Sequence, residues 1–359
     1  MHMSDALVSP AVGGVMWCAS AALIAVGSAK LRRVRDDLAV PMMGVLGAFV
    51  FVSQMINFSI PGTGASGHLG GGMLLAVLLG PWRALLTVAS VLLVQAVFFA
   101  DGGLLALGCN IFNMGVLPCL VAYPLVARPL MGCGDSPRRV AVAVAAAAVV
   151  SLQLGAFSVV LETWPSGISA LPFDRFLWLM QPIHLAIGLV EGLATAAIVL
   201  ALRRGEMPEL AGSTARKQEM PASMSKKAVS QRLGLLALAA LLTGGALSWF
   251  ASVYPDGLEW AIEKTTATPE VTLRESATSL HRQCSAAQQS AALMPDYDFK
   301  RAEKAETAAG VESAETWPNV NVGTSVAGIT GGALVVVLLA GMGLWLRPKG
   351  AVSPAAERE

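Results

Sequence analysis

This 359-residue chain has little charge. Asp, Glu, Lys and Arg make up 14% of it, whereas soluble domains carry roughly a quarter. Their net balance is +1, so there is no basic excess to hold nucleic acid. Cysteine is also scarce, and the five thiols (Cys18, Cys109, Cys119, Cys133 and Cys284) show no C-x-x-C spacing, so neither a disulfide framework nor a cysteine metal centre is supported. A G-x-x-x-x-G-K-S/T loop is missing, so the chain does not bind ATP through a Walker A cradle. Neither H-E-x-x-H, a nucleophile elbow nor a carboxylate dyad occurs, which leaves an enzyme reading without support. The amino terminus has no basic n-region before its first apolar run, so it does not read as a cleavable signal peptide.

Apolar residues are abundant, at 55%. Runs long enough to cross a bilayer recur at about 8–29, 39–60, 84–100, 103–127, 140–160 and 176–202, with a shorter run at 70–81. The expected fold is therefore an all-α polytopic membrane protein. Three glycines (Gly70, Gly71 and Gly72) open the short run, which predicts a short helix entered from a loop buried within the protein. Lys and Arg collect at 30–35, at Arg83, at Arg128 with Arg138 and Arg139, and across 203–232. The positive-inside rule places these regions in the cytoplasm. Counting seven crossings then puts the amino terminus, the His68 loop, the Asp101-Gly102-Gly103 turn and the 161–175 loop together on the outer face. A polar linker over 205–231 separates residues 1–204 from a second unit, 232–359. That unit has two further spans, at about 232–252 and 325–346, flanking an outer segment at 253–322, and its carboxyl terminus lies inside.

Donors for a metal are few but well placed. Met1-His2 offers an α-amine, an amide nitrogen and an imidazole that close fused rings around one ion. The His68 imidazole, from a loop on the same predicted face, brings the set to four nitrogens in a plane, which suits Ni(II) or Cu(II). An ordinary mobile terminus and an ordinary loop histidine are the alternatives. Gly62, Gly64 and Gly67 fit G-x-G-x-x-G, but a membrane helix precedes them rather than a strand, so a dinucleotide site is rejected. Gln54 with Asn57, and Asn110 with Asn113, each share a face if helical, either as hydrogen bonds between helices or as substrate contacts. Ser66 is a supporting polar residue in the His68 loop. His184 and Glu191, seven apart on one helix, read as packing or subunit-coupling groups rather than direct metal ligands. An intramembrane enzyme using that pair is a weaker alternative. His281 reads as a surface residue, helix is expected around 272–292, and Leu258, Trp260 and Ile262 are expected at the membrane interface behind a Pro-Asp-Gly turn.

The segments MHMSDALVSP, FVSQMINFSIPGTGASGHLGGG, GPWRALL, FFADGGLLALGCNIFNMG and PIHLAIGLVEGLATA resemble the NikM/CbiM family. These are seven-helix substrate-binding S components of nickel and cobalt energy-coupling factor (ECF) importers. The segment YPDGLEW, between the last two spans, resembles the PDGLE-type NikN/CbiN component, so the layout looks like a NikMN fusion. The resemblance implies metal ligation by Met1, His2 and His68. It also implies Ni2+, or alternatively Co2+, as transported substrate rather than cofactor, and a bacterial cytoplasmic membrane as the location. Implied partners are a NikQ/CbiQ-like transmembrane T component and NikO/CbiO-like cytoplasmic ATPases, with membrane lipid around the chain. The family commonly begins MHIPDG, whereas Met3-Ser4-Asp5-Ala6 lacks that proline and glycine. A membrane metal sensor without transport is the reading from another class.

Overall fold

The structure is a computed structural model and describes residues 1–33, 38–132, 136–169, 171–204, 226–266, 278–300 and 317–346. The helices are α1 (Pro10–Leu31), α2 (Ala39–Gln54), α3 (Gly72–Leu79), α4 (Pro81–Phe98), α5 (Leu107–Met131), α6 (Pro137–Ser166), α7 (Phe173–Arg204), α8 (Lys226–Gly245), α9 (Gly257–Thr266), α10 (Ser279–Ala291) and α11 (Val322–Leu346). One antiparallel hairpin, β1 (Phe58–Ile60) with β2 (Ala65–Gly67), interrupts the all-α pattern and carries His68 at its exit. Most of the linker at 205–231, the start of the 272–292 segment and Cys133 lie outside the described residues.

Sequence chemistry sets the helix ends. The Ser9 hydroxyl accepts from the Val12 N–H, and Pro10 occupies the first turn of α1, where its missing N–H costs nothing. Pro81 and Pro137 open α4 and α6 in the same way. Inside α5, Pro118 and Pro124 remove two N–H donors, and Phe112–Ala127 winds in wide π-type turns.

Among the described residues, six helices (α1, α4, α5, α6, α7 and α11) are long and apolar enough to span a bilayer. The nine expected crossings therefore need three amendments. In α8 the apolar stretch among the described residues is Gly234–Gly245, short of a spanning length. Helix α2 has only 16 residues, ending at Gln54 rather than running on to residue 60, so Gln54 and Asn57 do not share a helix face. Helix α3 has 8 residues, about 12 Å at 1.5 Å per residue, and cannot cross alone. The buried loop before it supplies the rest of the descent, as expected for irregular backbone enclosed in protein.

α4 and α5 form the centre of the bundle, while α1 and α11 are largely exposed along the flanks where lipid would lie. The second unit is packed on the first: α8 and α11 lie along α2, and α9 rests on α7. Close approach of α8 to α11 needs two glycines, since a Cβ on Gly328 would sit 2.9 Å from the Gly244 Cα. At one end of the bundle, Lys30 lies 4.1 Å from the Trp82 ring centre and Arg32 lies 3.9 Å from that of Trp345. At the opposite end Met1, His2, His68, Asp101 and Asp256 come together.

Three expectations about the second unit are corrected. His281 is fully buried rather than at the surface: its Nε2–H donates to the Val8 carbonyl at 3.0 Å, and its Nδ1 accepts from the Thr278 N–H. Leu258 and Ile262 pack against Met3, Leu7 and Val8 instead of meeting lipid, and the Trp260 indole N–H donates to the Thr63 carbonyl at 3.0 Å. Pro255-Asp256-Gly257 is a helix start rather than a free turn. Asp256 Oδ1 accepts from the Leu258 and Glu259 N–H groups, and Glu259 reaches back to the Asp256 N–H at 3.1 Å, closing a capping box on α9.

Candidate metal site

The first eight residues are threaded into the bundle. Met3 is fully buried, its N–H donates to Asn110 Oδ1 at 2.8 Å, and its carbonyl accepts from Asn110 Nδ2 at 3.1 Å and from the Gly103 N–H at 2.9 Å. The Asn110 side chain thus pairs with Met3 as a neighbouring strand would. Asp5 accepts from the Ala106 N–H at 3.0 Å and lies so close to Gly103 that any Cβ there would collide with its carboxylate. These bonds hold Met3-Ser4-Asp5 without the proline and glycine that the turn lacks. Burial raises the Asp5 carboxyl above its ordinary range.

This threading delivers the α-amine of Met1 to His68, where the amine nitrogen is 3.4 Å from Nε2. The His68 Nδ1–H donates to the Leu69 carbonyl at 3.2 Å, so Nε2 carries the lone pair that faces the amine. Two nitrogens bound to one ion at about 2 Å each are separated by about 2.8 Å at a right angle and about 4 Å when opposite. The observed 3.4 Å falls between these limits. The His2 ring stacks on His68, with centres 5.2 Å apart and planes inclined by 22°. Its Nε2 is 3.2 Å from Gln95 Oε1. Gln95 Nε2 donates to Gln54 Oε1 at 2.8 Å, and Gln54 Nε2 donates to the Gly70 carbonyl at 2.8 Å. This relay makes Gln95 Oε1 the acceptor of the His2 Nε2–H, while Nδ1 lies 3.5 Å from Asp101 Oδ1. Nδ1 is the atom that closes a six-membered ring with the residue's own amide nitrogen. Among the described residues no cluster of three His, Cys, Asp or Glu side chains is placed to hold a metal. The amine and the backbone amide nitrogen of His2 are the further nitrogen donors beside the two imidazoles.

Charges around the amine are arranged by the second unit. Asp256 Oδ2 lies 2.8 Å from the amine while Oδ1 caps α9, so one carboxylate joins the first residue of the chain to the PDGLE helix. Burial would raise the Asp256 carboxyl, but the adjacent ammonium and His68 outweigh it and hold the group well below the ordinary carboxylate range. Glu259 is pushed up, chiefly by the Asp256 charge. Burial, then the ammonium, drives His68 down to about 3, and burial lowers His2. The folded protein therefore resists protonating His68, whereas the unfolded chain takes that proton below about pH 6.5. The unfolded state binds more protons between those limits, so stability falls as pH drops through that window. Thermal unfolding of the metal-free protein should show a falling midpoint from pH 7 to pH 4, and His68→Asn should flatten the slope. An equal slope in that variant would assign the effect elsewhere.

The other expected residues divide by role. Asn113 is buried beneath Met3, with Nδ2 3.7 Å from the Met3 sulfur and 2.8 Å from Glu162 Oε2. Ser66 donates to the Tyr254 carbonyl at 2.7 Å, while its N–H donates to the Pro255 carbonyl at 2.7 Å, so it fastens the hairpin to the second unit. Glu191 accepts from the Gly70 and Gly71 N–H groups at 3.0 and 3.1 Å, which anchors the strap that carries His68. His184 is buried below the strap, with Nδ1 2.8 Å from the Met180 carbonyl. Asn57 is half-buried, and its carbonyl accepts from the Ser252 N–H. Sequence reasoning missed Gln95, Asp101, Asp256 and Glu162 as site residues. For Gln95 and Glu162 the available signal was a polar residue inside an apolar run.

The CbiM family, described as the cobalt uptake substrate-specific transmembrane region, matches residues 2–208, and the PDGLE domain matches residues 230–348. A cobalt transport protein CbiM from Geobacter sulfurreducens is 30% identical over 278 residues, covering 74% of this chain and 78% of its own. The fused nickel transport protein NikMN of Rhodobacter capsulatus is 32% identical over 225 residues, covering 58% of this chain and 63% of its own. The crystal structure of a truncated transition metal transporter aligns with 57% of this chain and 99% of its own, at 27% identity and a TM-score of 0.47.

Proposed function

Because the chain belongs to the CbiM family of cobalt uptake substrate-specific transmembrane regions and continues into a PDGLE domain, we propose that it is the metal-capturing component of an ECF-type nickel importer. It is a multi-pass membrane component of nickel or cobalt transport. The observation that carries the finer reading is the half-buried Met1 amine, 3.4 Å from His68 Nε2 and beside the stacked His2 ring. The substrate ion would exchange the amine's proton for a metal bond, releasing protons as it binds. Four nitrogens in a plane favour Ni(II) among the ions on offer, and the relative from Rhodobacter capsulatus is named a fused nickel transport protein. Co(II) is the second reading, favoured by the family's own description. The basic end of the bundle, with Lys30 and Arg32, would face the cytoplasm and the metal site the outside. Uptake would need a transmembrane T component and a separate ATPase, because this chain has no Walker A loop.

A Ni(II) titration of the purified chain tests this, compared with a variant carrying one Gly inserted between Met1 and His2. Insertion keeps every side chain but enlarges the chelate ring and displaces the amine. The expected result is loss of tight binding, by at least a hundredfold, and of the visible absorption of planar nickel. Unchanged binding would overturn the assignment of the amine. Binding without ATP-dependent nickel accumulation, in cells that also make the T and ATPase components, would favour a sensor instead.

A further inference from the structure

A cavity of about 30 Å³ is lined by Met1 and His68 together with Asn113, Ser151, His184 and Glu191. That volume holds about one water-sized occupant. Two buried lone pairs facing this cavity have no partner: His184 Nε2 and Asn113 Oδ1, on side chains that are each 1% exposed. Their neighbours fix which atoms are bare. The Met180 carbonyl can only accept, so the His184 Nδ1 at 2.8 Å is the protonated nitrogen and Nε2 is the lone pair. Asn113 Nδ2 donates to Glu162 Oε2, which turns the amide oxygen the other way. An imidazole held through Nδ1–H to a backbone carbonyl, with Nε2 free, is the usual arrangement of a metal-binding histidine. His68 shows the same arrangement in the same cavity lining. The Glu191 side chain, seven residues and about 10 Å further along α7, also lines the cavity.

We infer that His184 Nε2 and Asn113 Oδ1 form a second divalent-cation site beside the amino-terminal one. The inference rests on the proposed metal transport only for the identity of the ion. One imidazole with oxygen donors binds a first-row divalent ion more weakly than four nitrogens. A site that an ion must leave as readily as it enters needs this weaker hold. The second site therefore accepts the ion when the amine and His68 release it.

The probe is Ni(II) alone, added to the full chain and to the variant with Gly inserted after Met1, with stoichiometry followed by calorimetry and imidazole ligation by X-ray absorption. The intact chain should bind one planar nickel, then a second equivalent at least a hundredfold more weakly. The inserted variant should keep only the second. His184→Asn preserves a donor for the Met180 carbonyl but cannot reach the cavity as an imidazole does. It should weaken the second equivalent at least tenfold while the planar absorption persists, which also reports an intact fold. Should His184→Asn disturb the planar signal, His184→Gln in the inserted background gives the same comparison without relying on it. Absence of a second equivalent, as expected if a water bridges the two atoms, overturns the inference. So does a second equivalent indifferent to both substitutions. Neither outcome touches the amine assignment, which falls only if Gly insertion leaves the planar signal in place.

Discussion

Glu191→Ala is expected to lower nickel affinity about a hundredfold without changing the planar spectrum at saturation. Both carboxylate oxygens accept backbone N–H groups, from Gly70 and Gly71, and these bonds hold the strap on which His68 stands. Charge-assisted bonds of this kind contribute about 1.5–3 kcal/mol each, and a buried donor left without an acceptor costs about 1–3 kcal/mol. Gly71 adopts φ +74°, a conformation that other residues rarely accept, so the strap has little means of finding a substitute bond. If the competent strap falls to about 1% of the population, apparent affinity falls by that same factor. Glu191→Gln retains one oxygen for one N–H and should lose about tenfold. Calorimetric titration of both variants checks the order. Full nickel affinity in Glu191→Gln, combined with loss of some catalysed reaction, would instead support the intramembrane enzyme.

The second large effect concerns Asp256, where two substitutions separate two jobs. Asparagine caps helices as well as aspartate does, so Asp256→Asn keeps α9 while removing the charge beside the Met1 amine. Breaking a buried ion pair by deleting one partner costs about 3–5 kcal/mol. Asp256→Ala loses the cap as well, about 1 kcal/mol more. At roughly 2–4 °C per kcal/mol for a large domain, the thermal midpoint of the metal-free protein should fall by about 10 °C for Asn and further for Ala. Because the folded carboxyl lies below its ordinary range, this contribution is complete above about pH 4 and is lost only as pH falls further. Indistinguishable midpoints for wild type and Asp256→Asn would mean that the pair contributes nothing.

Long apolar segments made the bundle legible from sequence, because spanning length is a local property. The buried approach to α3 was legible too, from three consecutive glycines ahead of a run too short to cross. Met1, His2 and His68 do come together at one end of the bundle, and Asn110 with Asn113 turns towards Met3. What could not be read were partnerships formed across long stretches of chain. His281 lies among polar residues in sequence, yet it is buried against the Val8 carbonyl, 273 positions away. Leu258 and Ile262 resemble interfacial residues until Met3 and Leu7 arrive to cover them. Gln95 draws its role from Gln54 and His2, on segments that periodicity treats separately. Asn57 failed for a local reason, since α2 stops three residues before it.

The bond between Asp256 and Met1 joins two positions of a single polypeptide, separated by 255 residues. Their encounter is therefore intramolecular, and a tether of this kind supplies an effective concentration of order millimolar, whatever the expression level. Every molecule carries one PDGLE helix for one amino terminus, a strict one-to-one ratio. Were the halves made as separate chains, occupancy of that contact would follow the ratio of their synthesis and their dilution in the membrane. The fusion turns a question of subunit supply into a fixed property of the fold.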